Sequence, residues 1–218
     1  MRTAVYIDGF NLYYWLKPLP YRWVDLKALA LNAISTPNQI HDIVAIKYYT
    51  ARVSDTDDDP TKAIRQDVYI RALLKTIPEL KVCYGEFRRQ KKKMPRALPD
   101  GGVGAPVWVW DTEEKGSDVN LAVDLVDDAW SHAYDLAIVI SNDSDLERAI
   151  MIAKRKQRRI GVLVRGDATV NSLKRISHFM VKLTEDHLRN ALMPRDIPDS
   201  NLKIPAIWAQ RETQAGVR

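Results

Sequence analysis

The stretch Asp135-Leu136-Ala137-Ile138-Val139-Ile140-Ser141-Asn142-Asp143-Ser144-Asp145 decides the fold. Its first half is a run of apolar and β-branched residues, the pattern of a buried strand. The residues that follow, Leu146 to Ala153, read as a helix. Two carboxylates therefore fall where a buried strand ends and a helix begins. In an open α/β sheet, ligands bind in the crevice outside the carboxyl ends of the strands. One Asp at that place serves as a helix cap. Two, with two hydroxyls and an amide beside them, form an oxygen-rich site suited to a hard cation.

The same pattern recurs outward from this stretch. Thr3-Ala4-Val5-Tyr6-Ile7 reads as the first central strand, and Asp8-Gly9-Phe10-Asn11 follows at once. Asp42 to Tyr49 reads as a second strand and Lys81 to Phe87 as a third. Residues 88–105, rich in cations, Pro and Gly, read as an exposed loop, with Val107 to Trp110 as a hairpin partner of the third strand. Lys115-Gly116-Ser117-Asp118 opens a helix to about Trp130. Asp118 shares a helical stripe with Leu121, Ala122 and Leu125, which predicts a carboxylate facing the sheet. Asp124 is a weaker site candidate, and Asp127 and Asp128 read as surface residues. Further strands are expected at 159–164 and 178–183, with short helices at 169–176 and 184–192. Strands alternating with helices predict a three-layer α/β/α arrangement around a mostly parallel sheet. The expected domain covers residues 1–192. Residues 193–218, with Pro194, Pro198 and Pro205, read as an extended tail. Trp208 in that tail is expected to dock on the body or on a second copy, so a homodimer enters the expected partners.

Composition narrows the function. The chain has 218 residues, 46% of them hydrophobic, and a net charge of +5. Eleven of its 33 Lys and Arg residues fall in two clusters. One is Arg88, Arg89, Lys91, Lys92, Lys93 and Arg96; the other is Lys154, Arg155, Lys156, Arg158 and Arg159. Such clusters point to a polyanion, nucleic acid before membrane. Cys83 is the single cysteine, which fits a reducing compartment and a cytoplasmic location. A strand so near the start argues against a signal peptide, and no apolar run approaches the ~20 residues of a membrane span. The acids of Asp55, Asp57, Asp58 and Asp59 lack the glycine and distal Glu of an EF-hand loop. His41, His132, His178 and His187 are scattered, without zinc spacing. A phosphatase of the haloacid dehalogenase type needs a second Asp where Phe10 stands, and no phosphate-cradling Gly-rich loop follows a strand.

Asp8, Asp118, Asp143 and Asp145 thus come from three regions yet are expected at one rim. Like charges packed together need a proton or a cation to relieve them, and a divalent ion such as Mg²⁺ suits an all-carboxylate set. Three segments then resemble the motifs of the NYN domain family, a branch of the PIN-like metal-dependent nucleases, in order. They are Tyr6-Ile7-Asp8-Gly9-Phe10-Asn11, Lys115-Gly116-Ser117-Asp118-Val119-Asn120-Leu121 and Ser141-Asn142-Asp143-Ser144-Asp145-Leu146. Asn142 stands where such motifs often carry Gly, and Leu146 where they often carry Phe. The resemblance implies a ribonuclease using Mg²⁺ or Mn²⁺ held by Asp8, Asp118, Asp143 and Asp145, with Asn11 and Ser141 as polar helpers. Lys115 is placed to meet a substrate phosphate. Arg88, Arg89, Lys91, Lys92 and Lys93 are expected on the RNA backbone, with Trp108, Trp110 and Tyr84 stacking on bases. The rival reading is a non-catalytic RNA-binding or regulatory module on the same fold.

Overall fold

A computed structural model describes residues 1–36, 39–166 and 171–217. In chain order the elements are β1 (Arg2–Asp8), α1 (Gly9–Leu16), α2 (Leu26–Ile34), β2 (Asp42–Ala51), α3 (Lys62–Thr76), β3 (Leu80–Ala97), β4 (Val103–Lys115), α4 (Ser117–Trp130) and β5 (Leu136–Ile140). A turn of 3-10 helix at Ser144–Leu146 leads into α5 (Glu147–Arg155), followed by β6 (Arg159–Arg165), α6 (Asn171–Ile176), β7 (Phe179–Leu183), α7 (Glu185–Arg189) and α8 (Ala206–Gln214). The start of the helix expected at 169–170 lies outside the described residues.

The strands form one seven-stranded sheet in the order β4-β3-β2-β1-β5-β6-β7. All pairs are parallel except β3 with β4. The chain builds outward from β1 through β2 and β3, then crosses back to place β5 on β1's other side. The β1–β5 boundary is therefore the point where the winding reverses, and in open α/β sheets ligands bind at the strands' carboxyl ends beside such a point.

Strand alternation divides the apolar residues between two clusters. Val5 and Ile7 of β1 join α1, α2, α3 and α7 in one; Ala4 and Tyr6 join α4, α5 and α6 in the other. Both faces of the central strands are therefore covered, as expected for parallel strands with near-continuous apolar runs.

A polar network ties α4 to the sheet. Tyr6 Oη donates to Asp128 Oδ2 at 2.6 Å and Tyr49 Oη to Asp124 Oδ2 at 2.8 Å. The Lys47 ammonium lies 2.7 Å from Asp128 and 3.3 Å from Asp124. Asp128 is thus a half-buried partner of the sheet, correcting its reading as a surface residue. Burial first, then the neighbouring carboxylates, raise both tyrosine pKa values far above the usual phenol range.

Two other expectations are corrected. Residues 88–105 are mostly strand: β3 leaves β2 after Gly85 and continues to Ala97 as a two-stranded ribbon with β4. Only the tip turns, with Leu98 N–H donating to Gly102 O and Gly101 N–H to Leu98 O. Pro95 and Pro106 face each other in this ribbon. Neither can donate a ladder bond, and a ribbon with open edges tolerates that where a central strand does not. The tail is also not simply extended, because it carries α8. Trp208 packs on Trp23 and Tyr69 at centroid distances of 6.4 and 6.1 Å. Trp23 Nε1 donates to Pro194 O at 2.7 Å, closing the segment onto the body.

Lys47 offsets two carboxylates at once, whereas each tyrosine supplies one hydrogen bond. Lys47→Met is expected to lower the unfolding free energy by about 3 kcal/mol. Tyr6→Phe is expected to cost about 1 kcal/mol. Urea denaturation of the two variants checks the order; equal losses would contradict this role for Lys47.

Candidate active site at the carboxyl rim

The rim is built around Asp8, the last residue of β1 and the N-cap of α1. Its side chain is 5% exposed. Asn11 N–H donates to Oδ1 and Ser141 Oγ to Oδ2, each at 2.9 Å. Ser141 follows β5 directly and is itself buried. Its Oγ also accepts from Asp143 N–H at 3.0 Å. Asp143 then caps the 3-10 turn by accepting from Asp145 N–H at 2.9 Å. Asn11 Oδ1 accepts from Asn142 N–H at 3.2 Å, and Asn142 Oδ1 accepts from Arg165 N–H at 3.0 Å. One chain of hydrogen bonds thus joins the ends of β1, β5 and β6. Gly9 completes the turn, since a Cβ there would stand 2.4 Å from Tyr49 O.

Burial raises the Asp8 carboxyl to about 6, against the hydrogen bonds from Asn11 and Ser141, and Asp118 and Asp143 add repulsion. The Asp118 pKa is raised by partial burial, then by Asp143 and Glu114, with Asp145 contributing less. The four acids read from sequence therefore share one electrostatic neighbourhood. They are not equally placed. Asp118 is exposed rather than facing the sheet; Ser117 takes the buried position beside it. Gly116, at φ +95°, turns the chain into α4, and Ser117 donates through its N–H and Oγ to Glu114, at 3.1 and 2.7 Å. Asp145 is exposed and Asp143 half-buried.

Glu114 was not among the residues expected here. It lies next to last in β4, a strand that the sequence pattern identified only as far as Trp110, so its register was hidden. Among the described residues, no three Asp, Glu, His or Cys side chains are preassembled around one ion position. Asp118 and Asp145 stand open to water while Asp8 is buried with both oxygens hydrogen-bonded, a donor set of the kind a hard divalent cation can share with retained waters.

The ribbon register sorts the expected nucleic-acid contacts. Lys91 faces Trp110 and Lys93 faces Trp108, while Arg89 lies two residues before Lys91 on the same side. Arg89 and Lys91 sit over the Trp110 ring at 4.6 and 5.2 Å. Trp108 and Trp110 are 69% and 57% exposed. This face also carries Phe87 and Glu114, so it runs down to the acid rim. The opposite face neutralises itself: Arg88 pairs with Glu86, Lys92 with Asp111 and Glu113, and Lys115 with Glu113. Tyr84, the third expected stacking residue, carries Arg52 at 4.8 Å. The second basic cluster lies elsewhere. It spans the end of α5 and the start of β6, at the sheet end remote from the acids, and there Lys156 covers Trp130 while Arg158 donates to Tyr134 O.

Comparison with known proteins identifies the family. The NYN domain profile matches residues 2–184. The chain belongs to the NYN domain family. That family is generally nuclease-like and its fold PIN-like. The chain is similar to a 6-hydroxy-3-succinoylpyridine 3-monooxygenase of Pseudomonas putida, at 27% identity over 95% of this chain and 75% of that protein. It shares its fold with a Vibrio parahaemolyticus protein of unknown function, at a TM-score of 0.51 and 19% identity, over 85% of this chain and 94% of that one. No helix among the described residues of this NYN chain is long and apolar enough to cross a membrane.

A folded-state pKa of about 6 for Asp8 sets a sign. The native state holds the proton more tightly than the unfolded chain, so ionised Asp8 costs stability above pH ~6 and the cost vanishes below pH ~4. Asp8→Asn is expected to flatten this dependence and to stabilise the protein at pH 7.5 by up to about 3 kcal/mol. Denaturant titrations at pH 4.5 and 7.5 test it; an unchanged or lower stability of the variant at pH 7.5 counts against a buried, strained carboxylate.

Proposed function

We propose that this NYN chain hydrolyses phosphodiester bonds of RNA at the carboxyl rim, on a three-layer α/β/α frame. Mg²⁺ or Mn²⁺ would be held by Asp8, Asp118, Asp143 and Asp145. The observation that carries the reading is a buried carboxylate at the winding reversal, with Asp118 and Asp143 close enough to raise its pKa. A divalent ion at such a rim lowers the pKa of a bound water and stabilises charge on a leaving oxygen.

The chain's own residues have separable roles. Ser141 Oγ and the Asn11 N–H fix both oxygens of Asp8, so the carboxylate is oriented before substrate arrives. The Asn11 side chain holds Asn142 and with it the Asp143 loop. Asp118 and Asp145, open to solvent, can adjust to an incoming phosphate. Glu114 anchors the start of α4 and adds negative charge beside Asp118. The cationic and aromatic face of the ribbon, with Arg89, Lys91, Lys93, Trp108 and Trp110, suits single-stranded RNA. Cations take the backbone and exposed rings take bases. Lys115, Arg88 and Lys92 are already ion-paired and are expected to contribute less.

A second reading is favoured by one comparison. The Pseudomonas putida relative is named for oxygenation of a substituted pyridine, and its similarity spans nearly all of this chain. On that reading the substrate is a small aromatic acid rather than RNA.

Purified protein with Mn²⁺ is expected to degrade single-stranded RNA, and Asp143→Asn to lose about a hundredfold or more in rate. Lys91→Glu with Lys93→Glu is expected to weaken RNA binding and to reduce its salt dependence by about two counterions. Binding at several salt concentrations reads that slope. Intact RNA together with oxygen uptake that requires both a hydroxypyridine carboxylate and an added two-electron reductant such as a reduced nicotinamide would replace the first reading with the second.

A further inference from the structure

A cavity of about 150 Å³ lies behind the Asp8 turn, on the α1 and α3 side of the sheet. Its walls are aromatic: Phe10, Tyr48, Tyr69, Phe87 and Trp208 all line it. Phe10 and Phe87 meet edge to face at 5.5 Å, and Tyr69 meets Trp208 in the same way at 6.1 Å. A space of this size accepts about one benzene-like ring. Rings prefer edge-to-face or offset contacts with other rings, and such walls offer both.

The cavity is not purely apolar. Arg22, Lys62 and Arg65 also line it. Arg65 is 9% exposed, and its terminal nitrogens are engaged by Asp59 and Thr61. Its buried Nε–H has no hydrogen-bond partner among the described residues. The same is true of the Arg22 Nε–H and of the Trp208 Nε1–H. Three buried donors in residues around one small space depart from the rule that buried polar groups are paired. Arg22 shares its surroundings with Arg65 and Arg211, and burial with this like charge lowers its pKa. Asp59 offsets Arg65. The surplus of cations and unmatched N–H donors is what an anionic acceptor satisfies, with charge-assisted bonds stronger than neutral ones.

We propose that this cavity binds one planar ring joined, directly or through a sugar, to a carboxylate or phosphate, the ring between the aromatic walls and the anion on the free N–H groups of Arg22 and Arg65. Its wall includes Gly9 and Phe10, the two residues that directly follow Asp8. The chemistry has two sources, a free monocyclic aromatic acid or the base and phosphate of a nucleotide.

Calorimetric titration of the full chain, with tryptophan fluorescence in parallel, separates them. The probes are benzoate, nicotinate, uridine monophosphate and neutral benzamide. At least one anion is expected to bind, about tenfold or more tighter than benzamide, and Arg22→Gln is expected to weaken it by about tenfold while Arg22→Lys retains part of the affinity. The anion that binds identifies the source. No binding by any anion, equal binding of benzamide, or affinity indifferent to Arg22→Gln overturns the proposal. The comparison of charged with neutral rings in the wild-type protein holds even if a variant misfolds. Since the readout is binding, absence of RNA hydrolysis leaves this result intact, and the reverse is equally true.

Discussion

A carboxylate taken out of water at the end of a central strand is the constraint from which the rim follows. Asp8 cannot be left bare at 5% exposure, because an unpaired buried charge is costly. Two donors, the Asn11 N–H and Ser141 Oγ, stabilise the charged form, yet desolvation still wins and its pKa rises to about 6. The donors come from two segments far apart in sequence. Satisfying Asp8 therefore requires β1 and β5 to be adjacent and in register, with Ile7 beside Ile140. The same bonds that hold the acid also fix the winding reversal of the sheet.

A second constraint acts from behind. The position of Asp118 depends on how α4 lies across the strands, and α4 carries only a modest buried stripe, Leu121, Leu125 and Ala129. Lys47, Tyr6 and Tyr49 lock its outer carboxylates, Asp124 and Asp128, to β1 and β2. Directional bonds of this kind set the rotation and slide of a helix more tightly than apolar contact alone. Glu114 and Ser117 fix the front end of the same helix. Asp118 can thus remain exposed and still be held near Asp8 and Asp143.

Much of this was legible in the sequence, and the failures share a cause. The central strands read clearly because both their faces are buried, so their apolar runs are continuous. Asp8 and Asp143 read clearly because each follows such a run. The ribbon did not, because neither of its faces packs on a core. Cations follow one another along Arg88 to Lys93, and Pro95, Pro99 and the glycines suggested a loop. The burial of Asp118 was overestimated for a related reason. Helical spacing places a residue on a stripe, but at the start of α4 it is Ser117, held by Glu114 and close to Gly85 of β3, that occupies the inner place. Asp128 was missed because its partners, Tyr6 and Lys47, lie far away in the sequence and are invisible to local pattern. The tail's packing depended on Trp23 and Tyr69, which lie well over a hundred residues away in the chain.

One turn of backbone serves both the acid rim and the aromatic cavity. Asp8 caps α1, Gly9 packs under Tyr49 O, and Phe10 closes the cavity wall against Phe87. Gly9 has no room for a Cβ, so the turn has a single seat on β2. Movement that opened the cavity by shifting α1 would pull the Asn11 N–H away from Asp8, and would strain the Asn11 link to the Asp143 loop. Nor can β3 yield freely, since Phe87 lies on the ribbon face that also carries Glu114. The cavity's shape and the placement of the acids are therefore not independent variables. Both are set by the same few contacts at the ends of β1, β2 and β3, and an account of either site has to begin with that shared turn.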